Sequence, residues 1–244
     1  MGELTMEALR AHLKVCMFDQ YGTLVDMQKG LTEVVTPYLK AKGWNGRPDA
    51  FVTWWRRTHF ENSMIDALLQ REHTPYREIG HRAVAYTLER AGIPHTMDEV
   101  RFLVAQIDRL KPFSDVPAAL ARLNTRYKVA VLSNGDPDML EAARPFHTIA
   151  LDAVISVAVA NSFKPHVVTY TKAAELLGVR MDEVLFVANH AFDCIGAKSA
   201  GMYTAYINRR KRPFGMTPHQ PDIVVPDMKS LADRLVADGQ DFNE

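Results

Sequence analysis

Asp19 stands directly after the apolar run Val15-Cys16-Met17-Phe18 and is followed by Tyr21, Gly22 and Thr23. A short apolar run ending in a carboxylate and a glycine turn reads as a buried strand that carries the carboxylate to the rim of a sheet. At that rim the carboxylate could act as a covalent nucleophile. Taken alone, the segment describes equally well a turn aspartate bonded to local backbone amides. Three further segments also follow apolar runs: Ser133-Asn134-Gly135, Lys164-Pro165, and Asn189-His190 with Asp193. Singly they are ordinary: a strand-to-helix turn, a solvated loop lysine, and a carboxylate in the first turn of a helix, where the dipole favours it. Strand ends on one edge of a parallel sheet converge. Together the four segments would bring two carboxylates, an ammonium, a hydroxyl and an amide into one pocket.

The elements that must position these groups are legible as alternating patterns. Apolar, β-branched runs fall at 15–18, 129–132, 153–160, 184–188, 203–207 and 223–225, and segments of helical periodicity at 116–123, 167–177 and 191–200 lie between them. Strand–helix alternation predicts an α/β fold with a doubly wound parallel sheet, a Rossmann-like core. The alternation stops between about residues 28 and 110, which read as helices at 31–42, 49–70, 76–91 and 97–110, punctuated by Gly43, Pro48, Pro75, Gly92 and Pro94. The expected organisation is a core of residues 1–27 and 111–244 with an inserted helical cap, 28–110, over the carboxyl edge of the sheet.

The 244 residues are 47% hydrophobic and 24% charged, with 29 basic and 29 acidic side chains. A balanced charge predicts neither a nucleic-acid partner nor an anionic membrane surface. No run of 18 apolar residues predicts a membrane span. Cys16 and Cys194 lie in apolar surroundings and form no CxxC, as buried free thiols of a reducing compartment do. The expected location is the cytoplasm. One basic cluster, Arg209-Arg210-Lys211-Arg212, reads as a solvated loop or as the border of an anionic substrate's entry path.

Asp-x-Tyr-Gly-Thr-Leu at 19–24, Leu-Ser-Asn-Gly at 132–135, Lys164-Pro165 with Tyr170, and Asp193 downstream are ordered as in the haloacid dehalogenase superfamily, which the chain resembles from about residue 15 to 225. Phosphatases of that superfamily usually carry a second Asp where this chain has Tyr21. With Tyr21, the Lys164–Tyr170 spacing and Trp55-Arg56 in the helical insert, the chain is similar to the L-2-haloacid dehalogenase branch. The resemblance implies a homodimeric hydrolase of short (S)-2-halo acids that needs no cofactor and no metal. Asp19 would attack C2 and expel halide with inversion. Lys164 would keep Asp19 ionised, and Asp193 would help position or activate the water that cleaves the resulting ester. Ser133 and nearby amides would hold the substrate carboxylate, Thr23 would shape the nucleophile loop, and Arg56 and Asn134 would receive the halide. Tyr21, Tyr170 and Asn189 complete the implied substrate site.

The last motif departs from that branch. Ala188 and His190 fill slots where the family has Ser and Asn. His190, three residues before Asp193, is expected to take over the Asn's role and to tighten the pocket toward haloacetates, because imidazole is bulkier than an amide. Two other functions remain open on the sequence. One is a Mg²⁺-dependent phosphatase, against which Tyr21 offers no acid for a leaving alkoxide. The other is a degenerate binder of small carboxylates.

Overall fold

The computed structural model describes residues 5–69, 72–146 and 151–236. Six parallel strands form one sheet in the order β3-β2-β1-β4-β5-β6. They are β1 (Val15–Phe18), β2 (Lys128–Ser133), β3 (Ala153–Ser156), β4 (Val184–Ala188), β5 (Tyr203–Ile207) and β6 (Ile223–Val225). β1 is central, in register with β2 through Phe18↔Val131 and with β4 through Phe18↔Val187. The chain runs outward through β2 and β3, then returns to the other side of β1. This reversal leaves a crevice at the carboxyl ends of β1 and its neighbours, where open α/β sheets bind ligands.

All four residues of β1 are buried, as expected of a strand covered on both faces. Alternation assigns them: Val15 and Met17 pack into one core, Cys16 and Phe18 into the other. The second core is closed by α1 (Met6–His12), α6 (Val116–Leu123) and α10 (Met228–Leu235). The first is covered by α8 (Val167–Leu177) and α9 (Ala191–Ser199), and continues without a break into four helices between β1 and β2. These are α2 (Met27–Ala41), α3 (Pro48–Leu68), α4 (Tyr76–Arg90) and α5 (Met97–Ala105). Leu31, Val35, Val52, Trp55, Val84 and Leu103 are fully buried among them. Pro48 opens α3 at a position where its missing N–H is not needed. A reciprocal Thr96–Glu99 capping box opens α5.

One corner ties the inserted helices to the sheet. Asp136, in the turn that opens α7 (Pro137–Ala143), accepts from the Tyr76 and Arg77 amides at 2.8 and 2.9 Å. These first-turn amides of α4 have no partner within their own helix.

The apolar run at 153–160 is a strand only as far as Ser156. Its ladder ends opposite Ser133, the last residue of β2. Ser156 Oγ then accepts from Ala158 N, and residues 157–160 wind into a 3₁₀ turn. The expected helix at 97–110 likewise ends at Ala105 and continues as a 3₁₀ turn to Arg109. Among the described residues no helix is long and apolar enough to cross a membrane.

Candidate active site

Asp19 follows β1, 6% exposed, at the floor of a cleft of about 470 Å³. Both its carboxylate oxygens are engaged. Lys164 Nζ donates to Oδ1 at 2.8 Å, and Thr23 Oγ1 donates to Oδ2 at 2.7 Å. The loop that makes this possible turns at Gly22, whose φ of +93° is the left-handed region that favours glycine. A Cβ there would also stand 2.8 Å from His190 Cε1 and 3.2 Å from Arg56 Nη2. The loop is fastened from β4: Asn189 N donates to Thr23 Oγ1 at 2.9 Å, and Asn189 Nδ2 to Gly22 O at 2.8 Å.

Lys164 is 1% exposed. Its ammonium spends three donors on Asp19, on Asp193 Oδ2 at 2.8 Å and on Leu132 O at 3.0 Å. Its backbone N donates to Asn134 Oδ1 at 3.0 Å, which sets the lysine against the end of β2. Asp193 is fully buried in the first turn of α9, and Tyr170 OH donates to its Oδ1 at 2.6 Å. The electrostatics follow from this packing. Burial acts to raise the Asp19 carboxyl, but the Lys164 charge, His190 and the lysine hydrogen bond outweigh it. Asp19 is held well below the usual carboxylate range. Asp193 moves the other way, because burial and the negative charge of Asp19 outweigh the lysine. Burial would lower the Lys164 ammonium, yet the two carboxylates raise it above its ordinary value. The lysine therefore stays charged, and the nucleophile candidate stays ionised.

The structure thus brings Asp19, Thr23, Lys164, Tyr170, Asn189 and Asp193 into one connected network. Of the other expected residues, Tyr21, Arg56, Asn134 and His190 line the cleft. Arg56 donates from Nη1 to Gln28 Oε1 at 2.9 Å, while its Nε is buried without a partner. His190 Nδ1 lies 3.6 Å from Asp19 Oδ2, beyond direct hydrogen-bond length and open to a bridging water. Ser133 is fully buried behind the wall, its Oγ accepting from Gly135 N at 3.2 Å. Trp55 packs in the core and Phe60 on the cleft wall.

Three participants are absent from the residues expected at the site. Tyr76 lines the cleft between rings, stacked on His59 at 3.9 Å and parallel to Tyr21 at 6.0 Å. Phe192 meets Phe60 at 4.0 Å across the insert and the core. Gln28 orients Arg56. A tyrosine behind Pro75 and a phenylalanine at N2 of a helix resemble core residues, so only the fold reveals them.

Residues 13–201 match the family model for haloacid dehalogenase-like hydrolases, and the chain belongs to that family. It is 37% identical over 199 residues to the (S)-2-haloacid dehalogenase of Xanthobacter autotrophicus, spanning 81% of this chain and 76% of that protein. It is 27% identical to haloacetate dehalogenase H-2 of Moraxella sp. (strain B), over 90% and 96% of the two chains. A structure of L-2-haloacid dehalogenase from Xanthobacter autotrophicus with chloropropionic acid covalently bound superposes with a TM-score of 0.81. There the identity is 31%, over 93% of this chain and all of the other.

Proposed function

We propose that this protein hydrolyses the carbon–halogen bond of short (S)-2-halo acids and haloacetates, giving 2-hydroxy acids with inversion at C2. The observation that carries the reading is Asp19: an ionised carboxylate at the cleft floor, fixed by Lys164 and Thr23, in a cleft also lined by Arg56, whose Nε is buried without a partner. In the first step an Asp19 oxygen attacks C2 and the halide leaves with the bonding electron pair, toward Arg56 and Asn134. Positive charge placed where negative charge develops is usually the largest catalytic term. The substrate carboxylate meets the amides of the 133–135 turn, which Ser133 holds in shape. In the second step water adds to the Asp19 ester carbonyl, the C–O bond to the enzyme carboxyl carbon breaks, and the hydroxy acid leaves. Of the water's two protons one goes to the departing alkoxide and the other to solvent, and Asp19 is restored as a carboxylate. His190, 3.6 Å from Asp19, positions this water, and Asp193 acts on the site through Lys164.

Residues 28–110 serve as a cap that excludes solvent from the nucleophile, over a core of 1–27 and 111–244. The chain works as a homodimer in the cytoplasm. Its buried free thiols Cys16 and Cys194 and the exposed Ile65, Leu68 and Leu69 of the insert support that reading, which sedimentation tests. The decisive experiment uses a single turnover in ¹⁸O-water. The label is expected in Asp19, and Asp19→Asn is expected to release no halide. Label in the product of the first turnover overturns the ester route.

A further inference from the structure

The cleft is larger than a two- or three-carbon acid requires; about 470 Å³ falls in the range of drug-sized ligands. Its outer part is bordered by Arg210 and Arg212, from the segment after β5. Both are exposed, in contrast to Asp19 and Lys164 on the floor. Among the described residues neither has a carboxylate within salt-bridge distance, whereas Arg57 on the opposite wall is already paired with Glu61 at 2.7 Å.

The segment carrying them is a built turn. Arg209 Nη1 donates to both oxygens of Asp115 at 3.0 Å, and its guanidinium lies 4.0 Å from the Phe113 ring. Asn208 N donates to Val225 O at 2.7 Å, and Asn208 Oδ1 accepts from Arg212 N at 2.9 Å. Lys211 between the two cleft arginines has φ +50°, a left-handed conformation uncommon for a residue with a side chain. The turn is thus pinned by Arg209 and Asn208, while its next two arginines are left to border the cleft.

These charges work against one another as they stand. Burial and the guanidinium of Arg210 across the cleft together pull Arg56 down to about 10. Arg210 itself is lowered by burial and by Arg212. Asp26 offsets both and Asp19 offsets Arg56, and a further anion entering the space adds to that offset. Met27, Phe60 and Phe192 supply an apolar stretch of the wall, beside the polar Gln28, Asp49 and Thr53.

We propose that Arg210 and Arg212 form a second anion subsite at the mouth of the cleft, which takes the distal carboxylate of a 2-halo dicarboxylic acid while its methylenes lie along the apolar wall. This rests on the proposed dehalogenase reading for the reacting end, and deepens it to a substrate class. The hydrolysis itself is unchanged: the distal carboxylate only binds.

The test compares kcat/KM for (S)-2-chlorobutanoate, 2-chloropentanoate and 2-chlorohexanoate with 2-chlorosuccinate, 2-chloroglutarate and 2-chloroadipate at fixed ionic strength. One dicarboxylate length is expected to exceed its monocarboxylate partner by about five- to tenfold, the weight of a half-exposed charge pair. Arg210→Gln with Arg212→Gln is expected to erase that ratio, and the double lysine variant to restore part of it. A ratio near one at every length overturns the proposal. So does a preference that is the same at every length and vanishes at 1 M salt, where the screening length is about 3 Å; that pattern is steering of charge without a subsite. Thermal shift with unhalogenated glutarate and adipate against pentanoate and hexanoate separates the two readings. A larger shift with a dicarboxylate, lost in the double glutamine variant, supports the subsite even if no halo acid is turned over. Halide release from the monocarboxylates with no dicarboxylate advantage in either assay leaves the dehalogenase standing and the subsite refuted.

Discussion

Lys164→Met removes what is, among the described residues, the only cation that touches both Asp19 and Asp193. The methionine keeps most of the apolar stem, so the change isolates the ammonium. Two buried carboxyls then face each other with no compensating charge. Breaking such a pair by deleting one partner costs about 3–5 kcal/mol of stability. Burial alone raises a carboxyl by up to about 3–5 pKa units. The Asp19 carboxyl, now held low by Lys164 and His190 against the effect of burial, would then rise, with His190 alone left to oppose burial. Loss of ionisation alone lowers the rate at pH 7 by up to about 60-fold at the full shift that burial allows, and lost positioning lowers it further. The assay is rapid-quench chloride release from (S)-2-chloropropionate between pH 5 and 9. The native protein keeps Asp19 ionised across this range, whereas Lys164→Met should gain rate as pH rises. Linkage gives a second readout by urea unfolding. In the native protein the Asp19 contribution is present above the unfolded carboxyl pKa and is lost as pH falls; Asp193, shifted up by burial, runs the other way. In the variant both carboxyls are raised, so its stability falls as pH rises from about 4. A variant within threefold of the native rate and with the same pH profile refutes the assignment of Lys164.

Other outcomes follow from single contacts. Arg56→Ala should slow halide release by about 10²- to 10³-fold, while Arg57→Ala, whose guanidinium is paired with Glu61, stays within threefold; the reverse order refutes the halide assignment. His190→Asn should slow ester hydrolysis more than ester formation, because His190 Nδ1 lies 3.6 Å from Asp19 Oδ2. A hydrolysis rate left unaltered in single turnover means that His190 only shapes the wall. Gly22→Ala combines a positive φ with a Cβ 2.8 Å from His190 Cε1, so thermal denaturation should show a loss of about 1–3 kcal/mol, with activity reduced; an unchanged Tm rules out strain at this turn.

The sheet and the network were largely legible because each rests on local pattern. A strand of four apolar residues ends where the polarity changes, and Asp19 stands at such an end; Asp193 follows β4 in the first turn of α9, and Lys164 lies beyond the 3₁₀ turn after β3. Ser133 was placed in the pocket by its motif, but its hydroxyl bonds inward to Gly135, a choice of rotamer that no spacing reveals. Arg210 and Arg212 read either as a solvated loop or as the border of an anionic substrate's entry path, because the wall they share comes from helices more than a hundred residues earlier. Asp136 makes a contact that no local pattern marks. Its partners, Tyr76 and Arg77, belong to an element 60 residues away in sequence. The run at 153–160 shows the converse limit: its β-branched residues satisfy strand propensity, but the neighbouring strand stops at Ser133 and leaves Val157 no ladder to join.

The buried network of Asp19, Lys164 and Asp193 holds two acids and one base, a surplus of one negative charge in a region without solvent. Lys164 and His190 drive the Asp19 carboxyl down, while burial and the charge of Asp19 drive the Asp193 carboxyl up. On the proposed route, alkylation of Asp19 cancels the surplus, leaving Lys164 and Asp193 as a neutral pair, and discharge of the ester restores the missing charge.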